Sequence, residues 1–118
     1  MLKAWKFRYK EPPPTLEVLY QGTRVAELEK YVQGFVFRYL RVFQQLGLSP
    51  FPGLPLTTAD IPSQELPVYF AERLPDLKRP EVRERMRELG VSPDDTFRVL
   101  AELGSHAVTD PFVFRLAA

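Results

Sequence analysis

Polar and apolar residues alternate along the first third of the chain. Trp5, Phe7 and Tyr9 fall on one side of an extended segment, and Lys6, Arg8 and Lys10 on the other. That is the period of two that a strand with one wet face requires. Glu11-Pro12-Pro13-Pro14 ends the run, and its stiff extended geometry makes it a spacer rather than a flexible linker. Thr15 to Tyr20 reads as the next strand, Gln21-Gly22-Thr23 as a tight turn with Gly22 free to take positive φ, and Arg24 to Leu28 as the returning arm. After Gly34, Phe35, Phe37 and Tyr39 alternate with Val36, Arg38 and Leu40. Connections this short exclude parallel crossovers, so the pattern predicts an antiparallel meander.

Beyond Leu40 the alternation stops. Arg41 to Gly47 reads as a helical turn, and Leu48 to Pro67 as a proline-rich extended segment with a short strand at Leu54 to Thr58. Such a stretch is too rich in proline for a central strand. Phe51, Leu54 and Leu56 within it are either plugs over the core or an exposed contact patch, and the plug is preferred because loop hydrophobes commonly close satellite clusters. A short helix follows from Pro67 to Leu74, with Phe70 and Leu74 on one side, until Pro75 stops it.

The next helix opens at Pro80 and ends at Gly90, with Val82, Met86 and Leu89 as its apolar stripe. In the helix after it, Ser92 is placed to cap, Pro93 to occupy the first turn, and Asp94 and Asp95 to face the positive end of the helix dipole. Phe97, Leu100 and Leu103 form its buried face, and Gly104 is expected to close it in a left-handed conformation. Pro111 to Leu116 reads as a final strand returning to the sheet. The expected fold is α+β: an antiparallel sheet of about four to six strands packed against about three short helices. It is expected to be one domain over residues 1–118, with 1–14 an added strand and spacer.

Composition narrows the function more than it defines it. The 118 residues, 45% hydrophobic and 26% charged, suit one globular domain. A formal net charge of +1 gives no global field to draw in nucleic acid or an anionic membrane. The absence of cysteine excludes a disulfide framework and thiolate chemistry. The first residues carry charges among their apolar positions, unlike a signal peptide, and no apolar run reaches bilayer length. These features lead to an expectation of a cytoplasmic protein with no membrane association.

No catalytic constellation emerges. The one histidine, His106, has Ser105 beside it and Asp110 near, but a triad needs convergence in space rather than adjacency in sequence. Glu65 and Glu72 are not distinguished from surface carboxylates. Phosphate-loop motifs are absent, and a zinc site lacks ligands. The chain is therefore expected to be no enzyme and to carry no cofactor, metal or catalytic residue. Trp5 to Lys10 and Gly34 to Phe43 interleave aromatic with basic residues, which leaves a nucleic-acid-binding module as the alternative function. The competing assignment, with these aromatics facing the helices as core, is preferred because the helical stripes need a sheet face to cover.

The order of motifs resembles the N-terminal subdomain of the HipA-type toxin kinases. Gly22, Val25 and Leu28 match its hairpin signature, Phe35 to Leu40 its aromatic strand, and Pro55-Leu56-Thr57-Thr58 its small-polar extended piece. Val68 to Pro75 matches its Phe-and-Leu-Pro helix end, and Gly90 to Gly104 its Gly-Val-Ser motif and the helix that follows. The similarity runs from about Leu16 to Phe114. It departs at Asp76-Leu77, where the family has Glu-Gly, and at Ser105 to Asp110, where the family has a run rich in Gly and Ala.

The chain ends where that family's kinase core would begin, so none of the kinase's catalytic residues carries over. The resemblance implies a stand-alone subdomain of a split toxin–antitoxin system. Its expected role is that of an antitoxin-like protein that docks on and restrains a HipA-like serine/threonine kinase, with a helix-turn-helix DNA-binding protein as a further component. No direct nucleic-acid contact is expected in that role. The proline-rich loop, with Phe51 and Leu54 as apolar anchors, is the expected contact, because a rigid loop loses little entropy on docking.

Overall fold

The computed structural model describes residues 13–104 and 110–117. The strand expected at Ala4 to Tyr9, and His106, lie outside them. Within the described residues the elements run β1 (Thr15–Tyr20), β2 (Thr23–Tyr31), β3 (Gly34–Tyr39), α1 (Arg41–Gln45), β4 (Ile61–Ser63), α2 (Val68–Ala71), α3 (Pro80–Leu89), α4 (Thr96–Leu103) and β5 (Phe112–Leu116). The strands form one five-stranded antiparallel sheet in the order β4-β3-β2-β1-β5. The meander is therefore extended on one side by the short β4 and on the other by β5, which returns to pair with β1.

The β1–β2 hairpin turns through Gln21 and Gly22, both at positive φ (51° and 84°), the geometry whose twist matches the flanking strands. Its register slips once: Val18 pairs with Ala26 but Leu19 pairs with Arg24, so Val25 is an extra residue in β2. The bulge turns consecutive residues Val25 and Ala26 into the core, and Leu28 follows them. A Val and a Leu three positions apart cannot share a face of a regular strand, and the bulge is what lets them.

One sheet face carries the main core. Phe37, Phe43, Phe70, Leu16, Leu28 and Leu100 are fully buried there. Phe35 lies 6.1 Å from Phe97 on α4, and Phe37 lies 5.9 Å from Phe70 on α2. The aromatic strand thus faces the helices. A second, smaller cluster joins Met86, Val91 and Val99, with Val82, Leu89 and Leu103 packed against it. No α3 residue belongs to the main core; α3 is held through the smaller cluster, to which Leu77, Val91 and the α4 residues Val99 and Leu103 contribute.

Several local expectations are corrected. The strand expected at Leu54 to Thr58 is absent, and the short strand is β4, with Pro62 at its centre. Proline is tolerated there because β4 is an edge strand. Ser92 does not cap the last helix: its Oγ accepts from the Asp94 N–H and its carbonyl from the Asp95 N–H, closing a turn. The N-cap is Asp95, whose side chain accepts from the Arg98 N–H; short polar side chains that bond their own backbone favour a turn and cap over a continuous helix here. Gly104 is right-handed, at φ −95°, and its role is space. A Cβ there would lie 2.8 Å from the Leu100 carbonyl oxygen and 3.1 Å from that of Arg73. Gly90, by contrast, does end α3 in the left-handed region, at φ 69°.

Candidate partner-binding surface

The segment between α1 and β4 is irregular but fixed. Two consecutive residues of β3, pointing to opposite faces of the sheet, hold its middle and its far end. On the core side, the Tyr39 hydroxyl accepts from the Phe51 N–H at 2.8 Å and donates to the Leu54 carbonyl at 2.5 Å. On the other side, the Arg38 guanidinium makes a two-pronged bond to Asp60, 3.0 Å on each prong. A side-chain hydroxyl thus takes the place that a strand ladder would have filled for residues 51 and 54. Burial pushes the Tyr39 phenol up, against the opposing effect of the bond from Phe51.

Phe51 and Leu54 are buried, at 5% and 4% exposure. The Phe51 ring stacks on Tyr69 at 4.1 Å and 3° between planes. Both act as plugs, and direct contact with a partner would require the loop to open. Leu56, the third loop hydrophobe, is 40% exposed. It lines a shallow groove of about 230 Å³ with Leu40, Arg41, Gln44, Thr57 and Thr58. The exposed part of the loop is therefore a short apolar–hydroxyl surface on a rigid base.

The opposite sheet face carries a row of charges. Arg115, Glu17, Glu27 and Arg38 are successive cross-strand neighbours on β5, β1, β2 and β3. Arg115 meets Glu17 at 2.7 Å and Arg38 meets Glu27 at 2.5 Å. Glu17 and Glu27 stand opposite each other, and Arg24 relieves that repulsion by reaching Glu17 at 3.2 Å and Glu27 at 3.8 Å. The bonds that Arg38 donates to Asp60, and then to Glu29 and Glu27, hold its guanidinium above its already high range, against the cost of its burial. Alternation places these residues on a wet face but does not show that the row closes on itself.

A third polar group sits where α2, α4 and β5 meet. Arg73 is almost fully buried and donates to the carbonyls of Gly104 (2.8 Å) and Phe112 (3.0 Å). It pairs with Asp110 at 2.7 Å and lies 4.5 Å over the Phe114 ring. Tyr69 donates to the same carboxylate at 2.9 Å, and its phenol is pushed up by burial first and by the Asp110 charge second. Sequence reasoning misses this group: Arg73 has the look of a solvated helix residue, and its partners lie on other elements. The one available signal is its place four residues after Tyr69, on the same side of a short helix.

These clusters bind elements together; none presents a nucleophile beside a base. Among the described residues, no group of three His, Cys, Asp or Glu side chains is arranged to hold a metal ion. No helix among them is long and apolar enough to cross a membrane. The aromatics of the Gly34 to Phe43 segment that would stack bases are in the core, with Phe37 and Phe43 fully buried. That removes the stacking platform from this half of the nucleic-acid reading; Trp5 to Lys10 lies outside the described residues.

A bulged antiparallel sheet, roofed on its aromatic face by short helices and an irregular pinned loop, defines the chain as an α+β protein of one mixed helix–sheet architecture. Residues 16–108 match the family model described as the HipA N-terminal domain, and the chain belongs to that family. A solved structure of the N-terminal domain of HipA toxin is similar to it with a TM-score of 0.61, covering 93% of this chain and 98% of that one. At 20% identity that likeness shows the fold. No curated protein sequence matches significantly. The matching region is the small N-terminal part of HipA and not its kinase catalytic domain.

Proposed function

We propose that this protein is a non-catalytic, antitoxin-like partner that docks on a HipA-like serine/threonine kinase toxin and restrains it in the cytoplasm, with a helix-turn-helix DNA-binding protein as a third component of one complex. The observation that carries the reading is the match of residues 16–108 to the HipA N-terminal domain. A chain folded as that domain has the shape to occupy or complement the corresponding position against a kinase core. The pinned loop supports the same reading: a contact surface already held in one conformation loses little entropy on docking. Leu56, Thr57 and Thr58 are the proposed contacts, with Phe51 and Leu54 holding them from beneath.

The test is reconstitution. The full chain is mixed with a purified HipA-like kinase, and complex formation is followed by size exclusion and calorimetry, with autophosphorylation from labelled ATP as the activity. A complex at micromolar concentration with reduced autophosphorylation is the expected result. No complex, or a complex with unchanged phosphorylation, removes the docking or the restraint respectively.

A further inference from the structure

Away from the loop, the surface beside α3 is indented over the buried end of its apolar stripe. A groove of about 500 Å³ opens between α3 and the Val91–Pro93 turn, lined by Leu77, Met86, Val91 and Pro93, with Arg83 and Arg87 at its edge. The floor residues Met86 and Val91 are themselves buried, at 4% and 6%, so the groove is the outer mouth of the smaller hydrophobic cluster. Its size is that of a site for side chains or a small ligand.

The charges at the edge select the occupant. Arg83 and Arg87 are four residues apart on one side of α3. Of the arginines in this stretch, Arg79 pairs with Glu81, Arg85 with Glu88, and the groove's own Arg87 with Glu84. Arg83 donates its Nε–H to the Leu77 carbonyl at 3.0 Å, and no carboxylate among the described residues pairs with its guanidinium. The Arg87–Glu84 pair is exposed on both sides, and such pairs contribute little and exchange readily.

We propose that this groove binds an acidic amphipathic helix of a protein partner, with one or two apolar side chains entering over Met86 and Val91 and carboxylates one turn apart meeting Arg83 and Arg87. This is the helix-in-groove mode of recognition, with charge complementarity setting the choice of partner. A nucleic-acid backbone fits less well, because it would leave the apolar floor unused, and α3 itself carries Glu81, Glu84 and Glu88 beside its arginines. The proposal stands independently of the kinase reading.

The experiment uses the full chain labelled with ¹⁵N. It is titrated with a synthetic helical peptide bearing leucines on one face flanked by glutamates, with the lysine-flanked version of that peptide, and with inorganic phosphate. The expected result is a shift map confined to Leu77, Arg83, Met86 and Val91 for the glutamate peptide alone. Arg83→Glu, an exposed change that leaves the amide spectrum dispersed, should weaken the glutamate peptide by about tenfold, equivalent to about 1.4 kcal/mol, and strengthen the lysine peptide. Equal binding of both peptides, equal shifts with phosphate, a shift map elsewhere, or no shift at millimolar peptide overturns it.

Discussion

Arg73 donates its Nε–H to the carbonyl of Gly104 at 2.8 Å, tying the end of α2 to the end of α4. The same guanidinium reaches Phe112 and Asp110, so one side chain closes the corner where helices and β5 meet. Removing it leaves two carbonyls and a mostly buried carboxylate without their cation. Arg73→Ala should therefore cost about 3 kcal/mol. Arg73→Lys should recover only part of this, because an ammonium lacks the planar fork that spans three acceptors. Urea unfolding followed by circular dichroism measures both; equal stability of the Lys variant and the parent would show that the fork geometry is unimportant.

The loop clamp makes a separate prediction. Tyr39→Phe keeps the ring against Phe37 and Phe43 but removes the hydroxyl shared by Phe51 and Leu54. A buried N–H and a buried carbonyl then lose a partner, a loss of about 1–3 kcal/mol. Because the hydroxyl acts on the loop, amide exchange should quicken most between residues 48 and 58, ahead of β1 and β2. Uniform acceleration across the sheet would mean that the hydroxyl serves global stability rather than the loop.

How much of this is visible in the sequence differs by element. The alternation of β1 to β3 and the stripe of α3 are legible because each is a local repeat. β4 is not: three residues centred on Pro62 carry no period, and the strand exists only because β3 offers an edge. The bulge at Val25 is half legible, since a three-residue spacing of apolar residues in a strand demands an irregularity without saying where. Tyr39 and Arg73 are illegible for one reason: their partners lie far along the chain, and only the packed fold brings them together. Phe51 is legible as a plug and lies in the core as that reading expects, but its stacking partner Tyr69, far along the chain, is not legible.

Alkaline pH probes the same polar groups. Burial is the leading cause that raises the phenols of Tyr31, Tyr39 and Tyr69 above the ordinary tyrosine value. The folded chain holds these protons more tightly than the unfolded one. Their contribution is therefore complete below the unfolded value of about 10 and is lost as pH rises through the higher folded values. Stability measured by denaturant should fall steadily above about pH 10, and absorbance at the phenolate band should rise together with unfolding. Ionisation of these three phenols well before any loss of ellipticity would contradict their packing.

The loop's two kinds of hydrophobe can be told apart by a paired substitution. Phe51 touches Phe37, Tyr39, Phe43 and Tyr69, so Phe51→Ala opens a cavity and should cost about 3–5 kcal/mol. Leu56 is exposed in the groove beside Thr57 and Thr58, and Leu56→Asp should leave unfolding within about 0.5 kcal/mol of the parent. If the loop is the docking surface, the exposed change weakens the kinase complex by about tenfold or more, because a desolvated carboxylate at a contact has no compensating partner. Calorimetric titration of both variants, at a temperature where Phe51→Ala remains folded, separates the roles. A Leu56→Asp chain that binds like the parent, with Phe51→Ala binding lost only in proportion to its unfolded fraction, would move the docking surface off this loop.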